Sequence, residues 1–249
     1  MRKNEIKVWD GYRKNEKILI SNILEKALRF ERTNQAQSSN FLNPYEFSLV
    51  KKELDDRKIL YQVVVPNSMC EEKVIMFGEE SSPVTIYLGS FKEKITHSDI
   101  LGTLFSIGYE HGLIGDIFVE DGYFYLTNLT RMNSFLEENL YKIKNQIVSL
   151  EKVETMALKK NHYQEIHLTI SSYRLDHFVS ILSKTSRSIG IDILKRGDVI
   201  LNYQEVHRGE IQLKEKDILS IRHVGKFRLI QEVTQTKKGK KVVKVWKYL

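Results

Sequence analysis

The sequence predicts an α+β protein in three parts. These are a helical N-terminal region over residues 1–60, a middle domain of strands and helices over 61–160, and a small C-terminal domain of two helices and a sheet over 165–249. Three observations predict it. Apolar residues recur at helical spacing near the N-terminus, the period shortens to that of strands after Leu60, and positive charge gathers in the last third.

The N-terminal region is read from "EKILISNILEKALRFE". Ile18, Ile23, Leu24, Ala27 and Leu28 form a broad apolar stripe on one helix. "TNQAQSSN" breaks the pattern with polar, turn-prone residues. A second helix opens at "NPYEFSLVKKELDD", where Asn43 suits the cap and Pro44 the first helical position. Neither helix carries a reactive constellation, so both read as scaffold or docking surface.

The middle domain begins with short strands in "YQVVVP" and "KVIMFGE", turning near Asn67 and Ser68. "VTIYLGS" is a strand and "THSDILGTLFSIGYE" a helix opened by Thr96 or Ser98. "GDIFVEDGYFYLTN" is a hairpin turning at Asp121-Gly122, "RMNSFLEENLYKIKN" a helix and "IVSLEKV" a last strand. The order βαββαβ is ferredoxin-like, and RNA-recognition modules share it with aromatics on the central strands. Tyr87, Tyr123 and Tyr125 are therefore a candidate surface for stacking bases, with ordinary strand aromatics covered by a neighbouring domain as the alternative. Asp121, in place of the usual basic residue before the glycine, counts against phosphate there.

The C-terminal domain holds the charge. Residues 165–249 contain 17 Lys+Arg against 9 Asp+Glu, a net of +8, while 1–164 hold 22 against 23; the whole chain is +7. Basic charge on one module is the footprint of a polyanion partner. "EIHLTIS" leads in as a strand, and Ser171 or Ser172 can cap the next helix. There Leu175, Phe178, Val179 and Leu182 form the buried stripe, and Asp176 suits the dipole of the first turn. Ser186 caps a further helix, buried through Ile189 and Ile193 and closed by Lys195, Arg196 and Gly197. "DVILNYQEV", "DILSIRHVG" and "KFRLIQEV" are strands of a curled sheet, and "KKGKKVVKVWK" ends in another.

Arg187 opposes the dipole of the helix it opens, at a cost of some tenths of a kcal/mol. An anion at that helix N-terminus accounts for it, with Lys184 just before and Arg174 at the start of the neighbouring helix. A carboxylate partner such as Asp192 or one on a strand accounts for it equally well.

The motifs as a set are more specific. Arg174-Leu175-Asp176, Ser186-Arg187, Arg196-Gly197-Asp198-Val199 with Asn202, and Asp217-Ile218 stand in one register over some fifty residues. This stretch resembles the RNA-binding module named after ribosomal small-subunit protein four. Leu201 replaces a valine of that pattern, and Tyr203 replaces the glycine after Asn202, which puts the shape of that turn in question. With "FLNPYEFSLV" and "THSDILGTLFSIGYEHGLIGDI" ahead of it, nearly the whole chain resembles the YlmH family of bacterial RNA-binding proteins. The resemblance implies binding to ribosomal RNA of the large ribosomal subunit, close to peptidyl-tRNA, in ribosome-associated quality control of stalled nascent chains. The RNA-binding residues expected on this reading are Arg174, Lys184, Ser186, Arg187, Lys195, Arg196 and Asn202, extended by Arg222, Lys226 and Arg228.

Two other classes remain open. Pseudouridine synthases carry a similar module and an Arg-Leu-Asp, but their Thr-x-Gly continuation and separate catalytic domain are missing. An adaptor in cell division or at the membrane could use the basic tail. Other chemistry has little support: Cys70 is the single cysteine, the seven histidines are scattered, and Gly102 and Gly108 lack the Lys-Ser/Thr of a phosphate loop. The expectation is a cytoplasmic, monomeric, non-catalytic binder without cofactor or metal. No apolar run approaches the roughly 20 residues of a membrane helix, and the N-terminus has no signal-peptide core.

Overall fold

A computed structural model describes residues 11–79, 81–158 and 162–248. The protein is α+β, as the sequence predicts, and its chain forms two compact units, residues 1–159 and 160–249.

The first unit opens with α1 (Lys14–Thr33), β1 (Gln37–Ser38), α2 (Pro44–Asp56), β2 (Gln62–Val64) and β3 (Val74–Phe77). α2 starts as its sequence dictates: the Asn43 side chain accepts from the amides of Tyr45 and Glu46, and the Glu46 carboxylate reaches back to the Asn43 amide. The buried stripe of α1 runs through Ile20, Ile23, Leu24, Ala27 and Leu28, whereas Ile18 is half exposed at 50%. Most of that stripe packs with Val50 and Leu54 of α2 onto Ile75 and Phe77 of β3. The polar "TNQAQSSN" stretch is not only a turn. Gln37 and Ser38 pair antiparallel with β3, and Ser39 is fully buried with its hydroxyl accepting from the Ile75 amide. Backbone pairing can make a short strand from residues that no hydrophobic period would reveal.

The rest of this unit is β4 (Val84–Ser90), α3 (His97–Ser106), β5 (Ile114–Val119), β6 (Tyr123–Leu129), α4 (Asn133–Asn139), β7 (Lys142–Ile143), β8 (Gln146–Ile147) and β9 (Ser149–Val153). Four strands form an antiparallel sheet in the order β5-β6-β4-β9. α3 opens on a reciprocal Thr96–Asp99 cap, and Gly122 takes φ +83 in the hairpin turn at Asp121-Gly122. α4 is shorter than the sequence suggests. It ends at Asn139, and "YKIKN" instead makes the small β7–β8 hairpin, turning at Lys144 with φ +53.

Gly89 of β4 faces Phe124 of β6 directly across the sheet, and a Cβ at Gly89 would lie 2.1 Å from the Phe124 ring. Phe124 is fully buried, so its ring has no room to retreat. Replacing Gly89 by alanine is expected to cost about 1–3 kcal/mol, as overpacking does, read as a lower denaturant midpoint at unchanged slope. A neutral outcome would contradict this packing.

The second unit contains β10 (Tyr163–Ile170), α5 (Leu175–Leu182), α6 (Arg187–Lys195), β11 (Val199–Leu201), β12 (Gln204–Glu205), β13 (Ile218–Ile221), β14 (Gly225–Gln235) and β15 (Lys241–Tyr248). All six strands join one antiparallel sheet, ordered β10-β15-β14-β13-β11-β12. The basic tail thus ends as a strand, paired along its whole length with β10. Leu175, Phe178 and Val179 of α5 and Ile193 and Leu194 of α6 bury against Leu219, Phe227, Val243 and Val245 of the sheet. At about 1.5–3 kcal/mol per buried side chain, this layer is what holds the helices down. Ile189 is 47% exposed and not part of the core. Gly190 takes its place in the helix crossing, where a Cβ would come 3.0 Å from the Asp176 carbonyl.

Candidate nucleic-acid interface

The two short helices set the geometry. Ser186 caps α6, accepting from the Ile189 amide at 3.4 Å, while the amides of Arg187 and Ser188 meet no acceptor among the described residues. The N-terminus of α6 is therefore open to an anion. α5 differs. Arg174 holds its cap position without a side-chain cap, and neither Ser171 nor Ser172 takes that role. The amides of Leu175 and Asp176 instead donate to the carbonyls of Ile211 and Gly209, so the loop before β13 closes this helix end.

Asp176 links the two helices. Its carboxylate is only 2% exposed and accepts from Arg174 Nε (3.3 Å) and Nη2 (2.7 Å) and from Arg187 Nη2 (3.0 Å). Burial alone would raise its pKa, but the hydrogen bonds from Arg174 and Arg187 outweigh that and hold the carboxyl below its ordinary value. Arg174 is thus not free, as the apolar stripe suggested, and the carboxylate partner of Arg187 is Asp176 rather than Asp192 or a strand residue. The guanidiniums remain 36% and 54% exposed, so two cations stand side by side with donors still facing solvent. Lys184, exposed and at φ +55, lies in the connection between the helices.

The other expected site residues fall elsewhere. Lys195 and Arg196 lie at the opposite end of α6, where cations complement the dipole. Arg196 Nε donates to Asp198 at 2.9 Å and Arg222 lies 3.7 Å from the same carboxylate, a second arginine pair around one aspartate. Asn202 is committed internally: its side chain donates to Asp217 and accepts from the Ile218 amide. Asn202 and Tyr203 take φ +49 and +66, the two positive values of a type I′ hairpin turn, so the turn forms even without the expected glycine.

Lys226 and Arg228 lie on the sheet face away from the helices. Arg228 pairs across with Trp246, and Lys226 stands over the rings of Tyr203 (5.1 Å) and Tyr248 (5.0 Å). Tyr163 stacks on Trp246 at 3.9 Å. Sequence reasoning missed this aromatic company, although the alternation of "KVVKVWKY" places Lys244, Trp246 and Tyr248 opposite Val243 and Val245.

In the middle domain the stacking surface needs correction. Tyr87 pairs across with Leu126 and shares the face of Phe124, buried to 1% over the helices with its hydroxyl on Glu137. Tyr123 and Tyr125 lie on the other face, so the three do not form one platform. Tyr125 is itself covered, at 6% exposure, by Cys70, Ile86 and Met156, and its hydroxyl accepts from the Ala157 amide. A chain segment seals this face. Burial and the nearby Asp116 push the Cys70 thiol up to about 12, which leaves it a small buried hydrophobe.

Residues 85–157, the βαββαβ sheet and its closing segment, match the family model described as "Putative RNA-binding domain in YlmH". The middle of this chain is thus similar to the YlmH-type domain that this model describes. The full chain is also similar to the ribosome-associated protein quality control protein P2 of Bacillus subtilis, at 26% identity over 245 residues covering 94% of this chain and 95% of that protein. Among solved structures, the cell division protein YlmH from Streptococcus pneumoniae superposes on 59% of this chain and 96% of its own, at 17% identity and a TM-score of 0.48. Within the matched stretch the covered tyrosines leave the sheet face without an open aromatic surface at Tyr87 and Tyr125. No helix among the described residues is long and apolar enough to cross a membrane, and no cluster of metal-ligating side chains occurs among them.

Proposed function

We propose that this chain is a non-catalytic RNA-binding protein of ribosome-associated quality control, gripping ribosomal RNA of the large subunit beside peptidyl-tRNA. In this reading residues 165–249 are an RNA-binding domain of the ribosomal-protein-four type. Arg174, Lys184 and Arg187 contact backbone phosphates at the open N-terminus of α6, with Lys226 and Arg228 as a separate contact on the sheet. The observation that carries it is the Asp176-bridged arginine pair beside unpaired helix amides. The YlmH-type RNA-binding domain and the name of the B. subtilis relative support the same direction. Phosphate contacts position a protein without reading sequence, so specificity comes from RNA shape.

The burial of Asp176 under Gly209, whose own Cβ would come 2.8 Å from the Asp176 Cβ, speaks against a pseudouridine synthase. A carboxylate held by two arginines and enclosed by a loop supports a structural role for Asp176. Co-sedimentation tests the proposal. The chain is expected to pellet with purified large ribosomal subunits and to be released steeply by salt. Pelleting equally well with anionic lipid vesicles would contradict it and favour a membrane adaptor.

A further inference from the structure

The first unit carries a second group of cations that the reading above leaves unused. Asn22, Lys26, Arg29 and Thr33 follow at spacings of four, three and four along α1, on the side opposite Ile20, Ile23 and Ala27. With Arg32 and Gln37 they line a cleft of about 640 Å³. Arg131, from the YlmH-type domain, donates to Ser38 Oγ at 3.4 Å and to Asn40 Oδ1, which anchors it to the β1 segment next to Gln37. The Lys26 ammonium is held below its ordinary pKa by burial first, then by the charges of Arg131 and Arg29, so these cations share one field.

Among the described residues, no carboxylate forms an ion pair with Lys26, Arg29, Arg32 or Arg131, although Glu25 also lines the cleft. Elsewhere in the chain the arginines of interest are bridged by aspartates. The helix dipole explains Arg32 in the last turn of α1, but not Lys26 two turns inside or Arg131 on another segment. Like charges gathered without a paired carboxylate repel one another and favour an anion that settles among them.

We infer that this cleft is a phosphate-binding site and that RNA backbone supplies the phosphates. It rests on the RNA-binding reading above, because Arg131 lies within the residues that match the RNA-binding family model. The cleft gives the first unit a contact of its own, independent of the arginine pair on α5 and α6.

The experiment compares full-length wild type, Lys26→Gln/Arg29→Gln and Lys184→Ala/Arg187→Ala for binding to a fluorescein-labelled hairpin RNA over a series of salt concentrations. Circular dichroism establishes that each variant is folded. The cleft variant is expected to bind at least tenfold more weakly and to lose about 1.5 from the salt slope, at roughly 0.7–0.9 per phosphate. Full affinity and slope in the cleft variant, with loss in the α5–α6 variant, would overturn this inference and leave the RNA-binding reading standing. Failure of the wild type to bind would remove that reading itself. A control arm adds ATP at matched ionic strength. Thermal stabilisation of wild type by ATP, lost in the cleft variant while its RNA affinity is unchanged, would assign the site to a free nucleotide and overturn the RNA source.

Discussion

Replacing Lys184 and Arg187 together by alanine is expected to weaken RNA binding by about 10- to 100-fold without unfolding the C-terminal unit. Hydrogen bonds to charged groups contribute about 1.5–3 kcal/mol each, and the lysine adds a more weakly held point charge. Two lost phosphate contacts also flatten the salt dependence by roughly 1.4–1.8 in log–log slope. The fold survives because Arg174 keeps both of its hydrogen bonds to Asp176, so no buried carboxylate is left bare. Arg187 is 54% exposed, which makes its pair with Asp176 a weak contributor to stability in its own right. Fluorescence anisotropy against salt concentration measures both effects. Equal affinity and slope in variant and wild type would remove these residues from the interface.

The second large effect concerns Asp176. Its replacement by alanine removes four charge-assisted hydrogen bonds, two from each arginine, and leaves two guanidiniums facing each other. Breaking a buried ion pair costs about 3–5 kcal/mol, but here the cations remain partly in water, so about 2–3 kcal/mol is expected. For a unit of this size that lowers the melting temperature by roughly 10–20 °C. The pH dependence follows from the depressed pKa of the carboxyl. Its contribution is fully present above the unfolded value of about 3.9 and is lost as pH falls through the lower folded value. Wild type and Asp176→Ala should therefore differ at neutral pH and at pH 5, and converge only in stronger acid. A difference that stays constant down to pH 3 would show that Asp176 acts by shape and not by charge.

Local signals were legible in the sequence where the chemistry is local. Asn43-Pro44, Thr96, Asp121-Gly122 and Ser186 mark helix starts and a hairpin through backbone hydrogen bonds that neighbouring residues supply. What depended on distant partners was not legible. Gln37 and Ser38 become a strand only because β3 lies beside them. Tyr87 and Tyr125 both read as strand aromatics, but register alone puts them on opposite faces. The loop carbonyls of Gly209 and Ile211 displace the serine cap of α5 from more than 30 residues away.

The candidate site shows the same division. The sequence brought Arg174, Lys184, Ser186 and Arg187 together because two short helices connect directly. It could not show that Asp176 bridges the arginines, since the pairing depends on how the helices cross at Gly190. Lys195 and Arg196 lie at the far end of their helix, and Asn202 serves its own turn. The charge around Lys26 was only half legible: Arg29 and Arg32 follow on the same helix, but the field of Arg131 reaches it from another segment.

The helix-opening arginines of the second unit are proposed to lie on RNA. Ultraviolet crosslinking of the full chain bound to large ribosomal subunits, read by mass spectrometry of the attached peptides, tests it most directly. Nucleotide adducts are expected on the segment from Tyr173 to Ser188. Adducts confined to other segments, with that stretch recovered unmodified from the bound protein, would contradict it.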